Sequence, residues 1–465
     1  MPNPSYGLIE NFRLLFSEPV FSGTIWAGFT EFWKDARQPS VQDESVGDFF
    51  SRRFSKPTVD RILSAIIHGI YAGDVYKLSA KSLFNGPWRD ELSAGSVFAG
   101  MMKSRAEGLE VTKREAEYLQ DMKSFQWEPL LRGTLQGTSV FTFKEGLGQL
   151  SDAFARYLMG AGNVEFRTST PVESIALSKD QNKIEIKSRN SAEFSSFNHA
   201  ICTLSPGQLN KLHDQSSTAL VPQIPSTTVM TVNLYYRTPD LNPPGFGYLI
   251  PQATPFENNP ERALGVVFDT AYSPSPKDVD TNNWQPFTAD ALKDARESGK
   301  LVNVNDFAWY NMPAPPNIQD FVPERGTKLT VMLGGHWWDG WPAYPDEQEG
   351  LALAKSLLER HLGITEEPEV WQVNLQKDCI PQYTVGHEDR LKTAHSNLAR
   401  EYKSRLRVAG SWMSGVGIND CLRSAWDVAR NLKAGRSGTG LEHVGTTDFV
   451  RLKPVMAGQK EEESL

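Results

Sequence analysis

A glycine-rich turn near the C-terminus of this 465-residue chain has the residue types that hold a phosphate group or a flat ring. Leu406 and Val408 indicate a short strand, the segment Gly415–Asp420 forms the turn, and an amphipathic sequence typical of a helix follows. Backbone N–H groups at a helix N-terminus point outward and carry partial positive charge. This glycine turn is therefore predicted to bind an electron-rich ligand, with an ordinary tight turn as the alternative.

The glycine turn is not a complete dinucleotide-binding fingerprint. That fingerprint, G-x-G-x-x-G, places three glycines between a strand and a helix. Asp420 stands where the third glycine should be, and the turns that begin at Gly146 and Gly245 also lack their third glycine. The sequence therefore contains no complete fingerprint.

Composition excludes several classes of function. The formal net charge of −8 argues against a nucleic-acid partner, which would require a basic surface. Three widely spaced cysteines form neither a disulfide framework nor a zinc cluster, and the histidines show no metal-binding spacing, so we predict no metal site. No apolar run is long enough to span a membrane.

The first 35 residues are unusually aromatic, and two interpretations stay open. They form either a helical core segment or a surface that enters a membrane interface, where aromatic rings sit at the level of the lipid headgroups. The aromatic residues are Tyr6, Phe12, Phe16, Phe21, Trp26, Phe29, Phe32 and Trp33.

Hydrophobic periodicity predicts the elements around the glycine turn. After Pro57 the spacing i, i+3, i+4 predicts a helix with one wide apolar stripe, formed by Val59, Ile62, Leu63, Ile66, Ile67 and Ile70. From residue 138 helices alternate with strands predicted at 141–143, 164–166, 172–177, 184–186, 200–204, 228–236, 247–250, 264–268, 328–333 and 370–375. A long insertion is expected at 270–326. The pattern predicts an α+β fold with at least one mixed sheet.

Seven sequence blocks, in one order, resemble the flavin amine oxidase superfamily and most closely its protoporphyrinogen oxidase family. They are residues 43–54, 69–79, 144–150, 246–251, 330–335, 379–387 and 409–421. The last block carries the glycine turn in the form Gly-Val-Gly-Ile-Asn-Asp-Cys. Because the blocks keep the family's order across most of the chain, the resemblance is far more specific than any single block.

The resemblance implies a discontinuous FAD-binding domain, a mixed-sheet substrate domain and a helical membrane-contacting region. The implied divisions are 1–137 for the helical region, 138–215 for part of the FAD-binding domain, 216–400 for the substrate domain, 401–435 for the C-terminal FAD-binding segment and 436–465 for a disordered tail. The family's first βαβ unit has no counterpart here. We therefore expect a partial FAD-binding domain and an internal methionine at Met1.

The resemblance also assigns site residues. The residues implied to bind FAD are Val172, on the adenine side, and Val416, Gly417, Ile418 and Asn419, at the flavin end. The residues implied to bind the substrate are Phe246, Gly247, Leu249, Met332 and His68. His68 stands where relatives often carry arginine, so the partner of the substrate propionates stays open. No side chain is expected to be catalytic, because the flavin carries the chemistry.

The implied activity is oxidation of protoporphyrinogen IX to protoporphyrin IX in haem synthesis, with O2 as acceptor and H2O2 as product. The implied partners are the porphyrinogen, O2 and a membrane surface at the mitochondrial inner membrane, with a homodimer and a ferrochelatase contact as further expectations. The alternatives are another amine-oxidase-like oxidoreductase and a flavin-free protein. The second of these alternatives includes the case in which the chain is an inactive fragment.

Overall fold

The computed structural model describes residues 18–135, 141–143, 145–189, 193–213, 219–271, 326–446 and 448–452. The helices are α1 Thr24–Glu31, α2 Val46–Arg53, α3 Lys56–Thr58, α4 Ser64–Tyr71, α5 Ala80–Leu83, α6 Asn85–Ala94, α7 Val97–Glu107, α8 Lys113–Ser124, α9 Pro129–Leu135, α10 Gly148–Gly160, α11 Pro206–Leu212, α12 Glu347–Leu362, α13 His387–Tyr402 and α14 Ile418–Lys433. The strands are β1 Leu109–Thr112, β2 Val172–Leu177, β3 Ile184–Ser188, β4 Phe194–Phe197, β5 Ala200–Cys202, β6 Ser226–Tyr236, β7 Gly247–Leu249, β8 Ala263–Phe268, β9 Thr327–Gly334, β10 Val370–Pro381, β11 Leu406–Val408 and β12 Phe449–Leu452. This confirms the predicted α+β class.

The largest sheet has five strands in the order β10-β6-β9-β8-β7. Alternate residues of β6 and β9, such as Val232 and Val331, are fully buried on the face that α12 covers. The mixed sheet predicted for this region is wrong, because every described pairing within it is antiparallel. A loop, not a crossover helix, joins β7 to β8, and a loop reverses the chain direction.

A second core joins segments that lie far apart in the sequence. β5 and β11 form a parallel pair, and Cys202 and Val408 are buried in one cluster with Ile184 of the antiparallel sheet β2-β3-β4. The strand before the glycine turn therefore packs with residues some 200 positions earlier. Parts of this region remain exposed to solvent. Helix α10 has no buried residue, and Ile201 of β5 is 47% exposed.

The helical region is fixed by buried ion pairs. Arg53 of α2 and Glu31 of α1 are both fully buried and form an ion pair. The Arg53 guanidinium also donates to the carbonyl groups of Lys34 and Asp35, each at 3.0 Å, while Glu31 accepts from the N–H group of Val97 at 2.8 Å. Removing one partner of such a pair costs about 3–5 kcal/mol, because the other charge stays buried.

The apolar stripe predicted after Pro57 is divided between two environments. Val59 and Ile67 are buried, but Ile66 is 43% and Ile70 52% exposed. A π-helical turn at Val59–Leu63 separates α3 from α4. Such a turn adds a residue and rotates the following helix, so the stripe does not stay on one face.

Several other predictions need correction or lie outside the described residues. No strand forms at 141–143 or 164–166, where the structure shows no partner strand among the described residues. The disordered tail predicted from residue 436 is wrong for 436–446 and 448–452, because Leu441 is buried in the second core and β12 pairs with β1. Residues 1–17, 272–325 and 453–465 lie outside the described part, and with them Tyr6, Phe12 and Phe16.

Candidate functional site

The glycine turn lies exposed at the N-terminus of α14. Gly417 is the N-cap residue, with φ −75° and ψ 155°, and no side chain caps the helix. Gly417, Ile418 and Asn419 are exposed, and Val416 is partly buried beside them. The turn thus brings four predicted cofactor residues to one corner, where the first N–H groups of α14 are available to a ligand.

Asp420 occupies the space beneath the turn. A Cβ atom at Gly415 would lie 2.0 Å from the Cγ atom of Asp420, so only glycine fits there. The N–H group of Asp420 donates to the carbonyl of Gly417 at 3.1 Å, and its carboxylate accepts from Arg423 at 2.9 Å. An aspartate at the position of the third fingerprint glycine therefore stabilises this turn from within.

The outer side of the turn is open at Gly417. A Cβ atom there would meet only Oδ2 of Asp420, at 3.4 Å, and no other atom within 4 Å. An open surface lined by main-chain N–H groups at a helix N-terminus suits the edge of a flat, electron-rich ring. The residues present thus fit the flavin end of a cofactor.

An apolar surface lies on the face of the five-stranded sheet opposite α12. Leu249 pairs with Gly265 in register, and Gly265 with Met332, so these residues share one face. α4 crosses this face, since a Cβ atom on Gly69 would lie 2.9 Å from Cδ1 of Leu249. The exposed apolar residues of α4 and β7, together with the residue that precedes β7, are called the apolar wall below; they are Ile66, Ile70, Leu249 and Phe246.

The structure itself requires a glycine at position 247. Its φ is +134°, and a Cβ atom would lie 2.1 Å from the carbonyl oxygen of Val266 on the paired strand. Glycine is therefore required by the close approach of β7 to β8, whether or not a ligand approaches. Phe246, in contrast, is 69% exposed, which excludes a role in the core.

His68 forms a buried pair that sequence reasoning missed. Its Nε2 atom lies 2.8 Å from Nε2 of His336, and its Nδ1 atom lies 2.6 Å from the carbonyl oxygen of Ile250. The two rings stack with centroids 4.9 Å apart, and Trp337 packs on both. His68 is only 2% exposed. Both of its ring nitrogens are thus occupied within the protein, and neither is free to bind a ligand.

The hydrogen bonds of this pair define its protonation. Because a carbonyl accepts only, Nδ1 of His68 carries the proton, and Nε2 of neutral His68 accepts from the N–H group of His336. Burial lowers the pKa of His68 to about 4, and burial together with His68 lowers the pKa of His336 to about 3. Both rings are therefore neutral near pH 7.

Two tyrosines connect α4 to the glycine turn. The rings of Tyr71, at the end of α4, and Tyr383 meet edge to face at 5.9 Å. Tyr383 donates its hydroxyl hydrogen to the carbonyl of Ser411, just before the turn. Burial and the Asp420 carboxylate raise the pKa of Tyr71 to about 12. The contact places the end of α4, which crosses the sheet face beside the apolar wall, next to the loop that carries the turn.

The remaining predicted cofactor residue lies apart from the turn. Val172 is 37% exposed at the start of β2, in the sheet whose core includes Trp412 and Met413. Among the described residues, no group of three or more acidic, histidine or cysteine side chains is arranged to hold a metal ion. Within the same residues, no helix combines the length and hydrophobicity needed to span a membrane.

The chain is similar in sequence to a known protein family and to several characterised proteins. Residues 27–433 match the family model of flavin containing amine oxidoreductases. The chain is 30% identical over 400 residues to the protoporphyrinogen oxidase of Schizosaccharomyces pombe, covering 84% of this chain and 68% of that protein. It is 24% identical to the coproporphyrinogen III oxidase of Staphylococcus aureus, covering 86% of this chain and 71% of that protein.

A solved structure shows the same fold. It is a protein from Exiguobacterium sp. 255-15, provisionally named protoporphyrinogen oxidase, with a TM-score of 0.60 and 18% identity over 92% of this chain and 75% of that one.

The buried histidine pair predicts a pH-dependent stability. Unfolded histidines bind protons near pH 6.5, while His68 and His336 in the fold stay neutral to about pH 4 and about pH 3. The unfolded chain binds more protons in this window, so stability falls as the pH falls through it. His336→Gln can still donate to His68 and should flatten the dependence by up to roughly 1.4 kcal/mol per pH unit. Urea unfolding between about pH 7 and about pH 5 measures it. Equal slopes in the variant and the unaltered protein would contradict the prediction.

Proposed function

We propose that this chain, which belongs to the flavin containing amine oxidoreductase family, oxidises a porphyrinogen with FAD as cofactor and O2 as electron acceptor. The observation that carries the proposal is the similarity to the S. pombe protoporphyrinogen oxidase over 84% of this chain. The proposed reaction converts protoporphyrinogen IX to protoporphyrin IX and yields H2O2, within haem synthesis. The family match over 27–433 includes both the glycine turn and the apolar wall.

The apolar wall suits the body of such a substrate. A porphyrinogen is a largely apolar macrocycle, and apolar side chains desolvate it without needing polar partners. Phe246 and Leu249 would pack on its pyrrole rings, and Ile66 and Ile70 of α4 would close one side. A substrate on this wall would lie toward the glycine turn, because Tyr71 at the end of α4 contacts Tyr383 beside the turn.

The glycine turn supplies the cofactor site in this proposal. A bound FAD would accept a hydride from the substrate and pass the electrons to O2. Main-chain groups of residues 416–419 would hold the flavin ring, and the N-terminus of α14 would stabilise negative charge on it. Val172 would contact the adenine side. No acidic or basic side chain is assigned to catalysis, so the role of the chain would be to position the two ligands.

There are two alternatives. The similarity to the S. aureus coproporphyrinogen III oxidase favours a related porphyrinogen as substrate. The other alternative is a flavin-free porphyrin-binding protein. Flavin content separates the second alternative from the proposal, and the choice of porphyrinogen separates the first.

The flavin site is tested by Gly417→Val. The backbone at φ −75° suits valine, and only Oδ2 of Asp420 lies within 4 Å of the new Cβ atom, so the fold should persist. The added branches would fill the space of the flavin edge and weaken FAD binding about tenfold to hundredfold. Flavin absorbance after incubation with FAD and gel filtration, together with the melting temperature, measures both effects.

Gly207→Val is the matched control, because Gly207 also lies at a helix start with no atom near its Cβ position. A folded Gly417→Val variant with normal flavin content would remove the turn from the site. An unaltered protein that binds porphyrin but takes up no FAD would favour the flavin-free alternative.

The substrate face is tested by Phe246→Ala. Because Phe246 is 69% exposed, the melting temperature should barely change. Losing a ring against the substrate should raise KM for protoporphyrinogen about tenfold to hundredfold. Phe256→Ala is the control, since Phe256 is 52% exposed, packs on Arg262 and is not one of the apolar-wall residues. Porphyrin fluorescence gives the rates, and an unchanged KM would exclude Phe246 from the site.

We further propose that α1 attaches the protein to a membrane surface, at the mitochondrial inner membrane. Trp26 and Phe29 of α1 are 73% and 62% exposed, and their i, i+3 spacing places them on one side of the helix. Trp33, two residues beyond the end of α1, is 80% exposed. Glu31 on the other side is fully buried against Arg53. An anchored helix with outward aromatic rings suits insertion at headgroup level. Phe21, by contrast, is largely buried and belongs to the interior.

Membrane attachment is tested by replacing Trp26, Phe29 and Trp33 together with serine. Cosedimentation with phosphatidylserine-containing vesicles should fall about tenfold or more, since the buried apolar area drives interfacial binding. Phe125→Ser is the control, because Phe125 is 62% exposed but lies outside α1. Unchanged sedimentation of the triple variant would mean that α1 serves another surface.

A further inference from the structure

A series of polar contacts connects helix α8 to the underside of the glycine turn. Its central residue is Arg423 of α14, whose guanidinium group donates to two carboxylates. One Nη atom donates to Asp420 at 2.9 Å, and the other donates to Glu115 of α8 at 3.2 Å. Arg423 therefore links the residue beneath the turn to a different helix.

Glu115 has a fixed position at the start of α8, because it forms a capping box with Thr112. The N–H group of Glu115 donates to the Thr112 hydroxyl at 3.1 Å, and Oε2 of Glu115 accepts from the N–H group of Thr112 at 3.3 Å. Thr112 ends β1 and pairs with Phe449 of β12. Oε2 of Glu115 thus belongs to the cap, and Oε1 remains to accept from Arg423.

The Asp420 carboxylate lies close to the main chain that is proposed to hold the flavin. Its Oδ2 atom is 3.4 Å from the position of a Cβ atom on Gly417. Asp420 is the third residue of α14, where a carboxylate stabilises the helix because the helix N-terminus carries partial positive charge. The same negative charge opposes the binding of an electron-rich ligand at this end of the helix.

Arg423 is in position to neutralise that charge. Within the described part of the chain, no other cation pairs with Asp420. The side chains of Arg423 and Asp420 are 26% and 36% exposed, so water screens the pair only in part. The pair lies one residue type away from the opposite situation, because a neutral side chain at 423 would leave the carboxylate unpaired beneath the turn.

We propose that Arg423 is a positioning residue of the flavin site. It neutralises the Asp420 carboxylate and fixes it beneath the glycine turn, which leaves the N-terminus of α14 available to an electron-rich ring. Arg423 acts through Asp420 and is assigned no contact with the cofactor. The inference rests on the proposed function, because it takes the glycine turn as the flavin end of the FAD site. It adds that α8 of the helical region, through Glu115, supports that site.

Arg423→Gln tests the role of the charge, because it leaves the Asp420 carboxylate without a cation. Binding of FAD should weaken about twofold to fivefold at low ionic strength, as expected for a partly exposed charge pair. The reduction potential of bound FAD should also fall, because an unpaired carboxylate opposes the electrons that the ring gains on reduction. Quenching of flavin fluorescence gives Kd, and titration against a reference redox dye gives the potential.

A second substitution separates the charge from the shape of the turn. Asp420→Asn added to Arg423→Gln removes the unpaired charge and should restore both Kd and the potential to those of the unaltered protein. A double variant that recovers neither quantity would overturn the proposal. If Arg423→Gln does not fold, Asp420→Asn alone should raise the potential of bound FAD, and an unchanged or lower potential would overturn the proposal.

Arg430→Gln is the matched control on the same helix. Arg430 pairs with Glu117 and, at 3.7 Å, with Asp121 of α8, and its side chain is 34% exposed. Its replacement removes ion pairs between the same two helices but leaves Asp420 and its partner intact, so Kd and the potential should stay unchanged. Equal effects of the two arginine variants would show that only the contact between the helices matters, which contradicts the proposal.

The unaltered protein distinguishes a failure of this inference from a failure of the proposed function. If it takes up no FAD, the proposed flavin site is wrong and the positioning role of Arg423 falls with it. If it takes up FAD, and a folded Arg423→Gln variant shows the same Kd and the same potential, only the positioning role of Arg423 is excluded.

Discussion

Hydrogen bonds made by the segment 382–387 hold the helical region, the five-stranded sheet and the glycine turn in one arrangement. The segment's partners are the carbonyl groups of Tyr71, Lys77, Pro225, Ser411 and Met413, the N–H group of Ser79 and the carboxylate of Asp43. These partners come from all three regions, whose cores are otherwise formed by different parts of the chain. A shift of this segment would move the glycine turn relative to the apolar wall, so the geometry of both candidate sites depends on it.

Each region has its own means of staying rigid. The sheet packs alternating aliphatic residues against α12, whereas the helical region relies on buried ion pairs around Arg53 and Glu31. Hydrophobic packing tolerates small changes of shape, but a buried charge pair requires its exact partners. The ion pair also fixes which side of α1 faces outward, and so it determines that Trp26 and Phe29 are exposed. The outward aromatic face is thus a consequence of an interior electrostatic contact.

The histidine pair lies near the candidate site but stabilises the fold instead of binding a ligand. His68 lies beside the apolar wall, yet both of its nitrogens are used by Ile250 and His336. The pair connects α4 to the end of β9 and keeps uncharged rings behind the apolar surface. In the proposed function, a cation for the propionates of a porphyrinogen would therefore come from another residue. This distinction between a residue near the site and a residue in it follows from hydrogen bonding alone.

The sequence by itself determined what depends on near neighbours along the chain. Periodicity identified most strands and the helices after Pro57 and after the glycine turn, and the turn itself was found because turn geometry and helix capping are local. Contacts between distant segments were decided only by the tertiary structure. His68 meets His336 across 268 positions, and Asp420 fills the turn from within. The π-helical turn at Val59–Leu63 and the exposure of Ile66 and Ile70 are likewise not visible in the apolar repeat. Side-chain spacing fixes which face a residue takes on its own element, but packing against the rest of the chain decides whether that face is covered.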